Sequence, residues 1–212
     1  MLSAKVIVEL QDQRTRAWHL AEPEPCEGVG RGGAALAQDA EGEWLTLAAC
    51  QHRTNFDLWH IEDEARSPGA TNAELAEVKR RIDKTNQLRN DLVEELDSAL
   101  IAWLAERGLP DEEAPLNSES PGLIVDRLSI LSLRIYHTRE EAERADAPEG
   151  HAERNRERLR VLEGQRGDLA GCLDALWRET VGGTRRFKLY RQMKMYNDPA
   201  LNPAIYRQGM AD

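Results

Sequence analysis

Ser120-Pro-Gly-Leu-Ile-Val-Asp-Arg-Leu-Ser-Ile-Leu-Ser-Leu-Arg-Ile-Tyr136 is the stretch whose reading decides the fold. Ser120 is a good N-cap, and Pro121 fits the first helical position, where its missing N–H costs nothing. From Leu123 to Tyr136 apolar residues go nearly all the way round the helix, so it must be covered by neighbours on every side. This segment, to about Glu143, therefore reads as the buried central helix of a bundle. Its interruptions Asp126, Arg127 and Ser129 then stand on a surface that should be dry.

The covering helices lie on either side. One is expected from about Glu41 to Arg66, ended by Ser67-Pro68-Gly69. Thr71-Asn-Ala-Glu74 has capping-box spacing and opens a second, from Asn72 to about Glu106, stopped by Gly108 and Pro110. The short break between these two makes them antiparallel neighbours. Ala147-Pro148-Glu-Gly150 ends the central helix. A further helix from His151 to Thr180 carries Leu159, Leu162, Leu169, Leu173, Leu176 and Trp177 on one face. A first helix over residues 3–20 places Val6, Leu10 and Ala17 on one side, and residues 184–196 read as a short basic helix. With no sustained period-two pattern, the fold class is all-α, an up-and-down bundle of four long helices with short terminal helices. The expected organisation is an N-terminal helix and linker over 1–40, a bundle domain over 41–183, and a basic C-terminal helix and tail over 184–212 packed on the bundle.

Composition narrows the function. The chain has 212 residues, 31% of them charged, and a net charge of −10, which disfavours nucleic acid and anionic membranes as partners of the whole chain. From Thr184 onward six Lys/Arg stand against two Asp, leaving a basic tail on an acidic body. That tail, with Phe187, Tyr190 and Tyr196 among its cations, reads as packing on the bundle or rimming its site. The three cysteines lack Cys-x-x-Cys spacing, which argues against a disulfide framework or structural zinc site. Cys50 and Cys172 read as small core residues. With no membrane span and no signal segment, the expected location is cytoplasmic. Gly28-Val-Gly-Arg-Gly-Gly33 reads as a linker, because no strand precedes it and no Lys-Ser/Thr follows.

Polar residues on buried faces mark the candidate site. In the second of the paired helices the apolar stripe is Leu75, Val78, Ile82, Leu92, Leu96 and Trp103, and Arg89 falls on it. Lys79, Asp83, Asn86 and Asn90 form the adjoining row, with Gln87 beside them. In the preceding helix Asn55, Trp59, Glu62 and Arg66 run beside Leu58, Ile61 and Ala65, and Asp63 adds a carboxylate. With Asp126 and Arg127, these residues make a candidate ligand pocket between three helices. The competing reading is a structural network, with Glu62 or Asp63 paired to Arg89 and Asp126 paired to Lys79 or Arg127. The carboxylates Glu62, Asp63, Asp83, Asp91 and Asp126 could hold Mg²⁺. Glu74-x-x-Glu77 and Glu94-x-x-Asp97 resemble the acidic pattern of all-α nucleotide pyrophosphohydrolases. The absence of Glu-x-x-His disfavours a ferritin-like di-iron centre. His60 and His137 read as acid–base groups or as structural histidines. No metal-ligand set and no catalytic residue is assigned, no cofactor is named, and the oligomeric state stays open.

Three motifs occur in order: Asn55-x-x-Leu-Trp-x-x-Glu-Asp-x-x-Arg66, Lys79-x-x-Ile-Asp-x-x-Asn-Gln-x-Arg-Asn-Asp91 and Leu116-Asn-Ser-Glu-Ser-Pro-Gly-x-x-x-Asp-Arg-Leu-Ser-Ile-Leu131. Together they resemble a bacterial family of helical proteins, domain of unknown function forty-two fifty-four, over roughly residues 45–180. The resemblance brings no activity. It implies an envelope polysaccharide setting, since such proteins are often encoded beside glycosyltransferases. The expected function is thus binding of a small anionic or sugar-containing ligand. The alternatives are an Mg²⁺-dependent hydrolase or transferase acting on nucleotides or nucleotide sugars, and a non-catalytic interaction protein.

Overall fold

The structure, a computed structural model, describes residues 2–21, 40–193 and 200–201, the side chain of Ala40 excepted. Five helices follow in order: α1 Ala4–Leu20, α2 Ala40–Glu64, α3 Asn72–Ala105, α4 Pro121–Glu143 and α5 His151–Val181. The all-α class and the four long helices match the sequence reading, and their ends fall where caps were expected. The Thr71 hydroxyl accepts the Glu74 N–H while the Glu74 carboxylate accepts the Thr71 N–H, a complete capping box at the start of α3. Ser120 accepts the Leu123 N–H at the start of α4. The Gly-rich stretch 28–33 lies outside the described residues.

α4 packs on each of the other four helices, which explains its lack of a polar face. Ile124, Val125, Leu128, Leu133 and Ile135 are buried along it. α2 and α3 form an antiparallel hairpin closed by a bidentate Arg81–Glu64 pair, with the Trp44 indole N–H donating to the Leu96 carbonyl lower down. The core runs from Ile7 on α1 through Trp44, Leu96, Leu128 and Leu173 to Phe187 beyond α5. One cluster therefore joins segments that the sequence division places in separate units.

Three local expectations change. α1 buries Ala4, Ile7, Gln11 and Thr15 and leaves Val6 exposed, so its inward face is not the one counted from apolar residues. Gln11 and Thr15 can turn inward because the Val125 carbonyl and His52 receive them. Residues 184–193 form no helix; 194–196 lie outside the described residues. This strap makes a parallel bridge between Leu116 and Arg186, and Asn117 N–H donates to the Arg186 carbonyl. Gly182 and Gly183 end α5, and burial of Phe187 then holds the strap against the bundle. Cys50 is buried as expected, but Cys172 is exposed on the outer face of α5.

The α3–α4 contact is tight where α4 begins. The Asp97 carboxylate, buried on α3, accepts from the Ser120 hydroxyl and from Gly122 N–H at 2.7 Å. Burial pushes this carboxyl up to about 6, against the opposing effect of those two hydrogen bonds. A Cβ at Gly122 would stand 2.7 Å from the Val93 carbonyl oxygen and 2.9 Å from Asp97 Cγ, too close for either backbone to keep its place. Gly122→Ala is therefore expected to lower unfolding free energy by about 1–3 kcal/mol in urea titrations. Gly171→Ala, at a helical site with nothing within 4 Å, should gain up to about 1 kcal/mol. Equal behaviour of the two variants would contradict the packing described.

Candidate functional site

Asp126 sits at the centre of the polar residues singled out from sequence. It is buried on α4, and its carboxylate accepts four hydrogen bonds. Gln51 Nε2 at 2.6 Å and Asn55 Nδ2 at 2.9 Å donate from α2; Arg89 Nε at 2.8 Å and Nη2 at 2.5 Å donate from α3. The Arg89 guanidinium, half-buried, is held more firmly charged by this partner, chiefly through the hydrogen bonds. Ser129, one turn from Asp126, takes a second hydrogen bond from Asn55 at 2.9 Å and faces His52 Nδ1 at 2.7 Å. His52 Nε2 in turn faces the Thr15 hydroxyl on α1 at 2.9 Å. A continuous polar chain thus crosses the bundle interior from α1 to α3. Burial lowers the His52 imidazole from its ordinary 6.5 to about 3, so it is neutral here.

Above this chain a cleft of about 460 Å³ opens between α2, α3 and α4. Asn55, Leu58, Trp59, Glu62, Asp63 and Arg66 line it from α2, Arg89 from α3, and Ile130, Leu133 and Arg134 from α4. Arg66 is tied to Glu62 at 2.8 Å and Asp63 at 3.4 Å, and Arg89 is tied to Asp126. Among the described residues no carboxylate pairs with Arg134. A second, smaller cleft of about 220 Å³ lies on the other side of Arg89, lined by Asn90, Glu94, Asp97 and Asp126, with Tyr190 and Gln192 of the strap at its rim.

The structure brings together Asn55, Trp59, Glu62, Asp63, Arg66 and Arg89, with Asp126 beneath them, and puts Asn90 in the second cleft. It does not bring in the remaining five. Lys79 and Asp83 pair with each other on the solvent side of α3, and Gln87 donates to Asp91 at 2.7 Å on the same helix. Asn86, half-buried, lines neither cleft. Arg127 reaches back to Glu119 at 2.8 Å, because one residue past Asp126 is a turn of about 100° away from it. The pairings also change: Glu62 and Asp63 hold Arg66 rather than Arg89, and Asp126 holds Arg89 rather than Lys79 or Arg127. Arg134 and Gln51 were missed. Arg134 lies two turns beyond Asp126 on the same face, a spacing that could have flagged it.

The acidic pattern for Mg²⁺ does not gather. Glu74 is occupied in the capping box and Glu77 holds Arg80, whereas Asp97 caps α4 and Glu94 accepts from Gln192 N–H. Glu74 and Asp97 are also separated by roughly 35 Å of one helix at ~1.5 Å per residue.

Two outcomes check this layout. Asp126→Ala strands the Arg89 charge and is expected to cost about 3–5 kcal/mol in chemical denaturation, while Asp126→Leu with Arg89→Met should cost clearly less. Equal losses would mean that the pair is not a buried charge couple. His52, folded with a lowered pKa, binds its proton more readily when unfolded. Its contribution is complete above pH 6.5 and drains away as pH falls from 6.5 toward 3. His52→Gln should flatten the loss of stability in that window, measured by denaturation at stepped pH.

A family model described as "Protein of unknown function (DUF4254)" matches residues 45–189, most of the chain and all of the cleft. Comparison with curated proteins gave no match, and comparison with solved structures gave none. No helix among the described residues is long and apolar enough to cross a membrane. With three motifs in order and the model match across α2 to the strap, the chain belongs to the DUF4254 family.

Proposed function

We propose that the α2–α3–α4 cleft binds a small anionic, sugar-containing ligand. The observation that carries this reading is Arg134, a cation facing the same cleft as Trp59 with no acidic partner among the described residues. An arginine fork suits a phosphate or carboxylate group, and an indole offers a broad apolar surface to a sugar ring or base. Glu62 and Asp63 supply acceptors for hydroxyl groups along the same wall. The volume lies within the range of small-molecule sites. The structural-network reading applies to the inner layer: Asp126, Asn55 and Arg89 bind one another and shape the floor. The ligand's share is the outer layer. The envelope polysaccharide setting implied by the family resemblance makes nucleotide sugars the first candidates.

A thermal-shift screen with nucleotide sugars, sugar phosphates and free nucleotides, with and without Mg²⁺, tests the reading. A fitting ligand at 100 times its Kd stabilises by about 2.7 kcal/mol. The stabilisation is expected to vanish in Trp59→Ala and Arg134→Ala and to persist in Arg127→Ala, whose side chain points away. No shift with any compound, or a shift that survives both cleft variants, rules the cleft out. Turnover in the Mg²⁺ samples would extend the assignment to an enzyme.

A further inference from the structure

His19, His60 and His137 come from α1, α2 and α4, and one ring nitrogen of each lies within 4.8 Å of the others. Two of the three are set up by hydrogen bonds that fix their tautomers. His19 Nδ1 lies 2.7 Å from the Thr15 carbonyl oxygen, which can only accept, so Nδ1 carries the proton. His137 Nδ1 lies 2.9 Å from a Glu140 carboxylate oxygen, with the same consequence. Each ring is left with a lone pair on Nε2. Both Nε2 atoms are buried and have no hydrogen-bond partner. Leaving two such acceptors unmet costs on the order of 1–3 kcal/mol each, and aromatic packing alone does nothing to offset it.

We propose that His19, His60 and His137 form a binding site for a divalent transition-metal ion, zinc in the first instance. Three neutral imidazoles are a donor set for Zn²⁺, Cu²⁺, Ni²⁺ or Fe²⁺ and a poor one for Mg²⁺ or Ca²⁺, which take oxygen. Three protein ligands leave a fourth position for water or a bound molecule. Zinc at ~2.0–2.1 Å from each nitrogen puts its ligand atoms roughly 3.3 Å apart, so the rings need to close by no more than about 1.5 Å. The Thr15 carbonyl and Glu140 carboxylate are the outer-shell acceptors that orient metal-bound histidines. The surroundings hold the rings in place: Tyr136 stacks on His19 at 4.2 Å and Trp59 on His137 at 4.7 Å, with Phe56 edge-on to His19 and His60. Burial, then the neighbouring histidines, push His60 down from its ordinary value, and burial does the same for His137 against the pull of Glu140. Their neutral, ligating forms are thereby favoured near pH 7. Asp57 and Asp63, paired with Arg53 and Arg66, still lie close enough to His60 to favour positive charge there.

The test uses the full chain stripped with chelator and titrated with Zn²⁺ and Co²⁺ near neutral pH, with no organic ligand present, so it is decided separately from the cleft proposal. One ion per chain is expected, not displaced by excess Mg²⁺, and the Co²⁺ form should show the intense visible absorption of four- or five-coordinate nitrogen ligation. His60→Ala and His137→Ala should each weaken binding more than about 100-fold, and Glu140→Gln about 10–100-fold, the range for an outer-shell partner. The proposal is overturned if the wild-type protein binds no Zn²⁺, or if bound Co²⁺ has the weak spectrum of six oxygen ligands. Undiminished binding in both histidine variants overturns it as well. The wild-type measurements decide the matter even where a variant fails to fold.

Discussion

A carboxylate on the most buried helix must be neutralised where it stands, and most of the interior follows from how Asp126 is met. Stripping an ion of water costs several kcal/mol, and only close, well-directed donors recover it. Here they come from two other helices: Gln51 and Asn55, one turn apart on α2, and the two-pronged Arg89 on α3. A one-turn slip of either helix past α4 would take those donors out of reach. The network contributes little net stability relative to a well-packed apolar core, but it fixes register. The cleft begins one turn above it. On α2 the donors Gln51 and Asn55 continue as Leu58, Trp59 and Glu62; on α4 Asp126 continues as Ile130, Leu133 and Arg134. Both sets follow the three- and four-residue steps of a single helical face.

A second seam runs beside the first. Gln11, Thr15 and His19 succeed one another at four-residue steps on α1, as do His52, Phe56 and His60 on α2. On α4 the same direction leads from Ser129 to His137. The lower half of this seam is closed by hydrogen bonds among Thr15, His52 and Ser129, and each partner there is satisfied. The upper half ends in three imidazoles with two unmet lone pairs. Gln11 Oε1 at the foot of the seam is also unmet, but the upper cluster places two unmet lone pairs beside a third imidazole.

Much of this was legible in the sequence, and the limits have physical causes. Caps, breakers and the apolar girth of 123–136 located the helices, since those signals are local. Arg89 stood out because a guanidinium on an apolar stripe needs a buried anion. Which anion it finds depends on how two helices lie together, and no single-helix pattern contains that; hence the sequence offers Glu62 or Asp63 as natural partners of Arg89, whereas Asp126 holds it. Lys79 and Asp83 share the row of Asn86 and Asn90, with Gln87 beside it, and a row of polar residues looks alike whether water or another helix lies against it. α1 shows the converse, its inward face being built in part from Gln11 and Thr15. The three histidines share no motif, each arriving on a different helix, so only the assembled bundle brings them together.

α2 is common to both seams, and Trp59 is where they touch. Its indole lines the cleft and lies nearly parallel to the His137 ring, at an interplanar angle of 10°. Asp63, four residues on, lines the same cleft and lies close enough to His60 and His137 to favour their charged forms. Trp59 therefore touches both regions directly, and charge at the histidines acts on Asp63 through space. A ligand in the cleft and an occupant of the histidine cluster would meet across one indole ring.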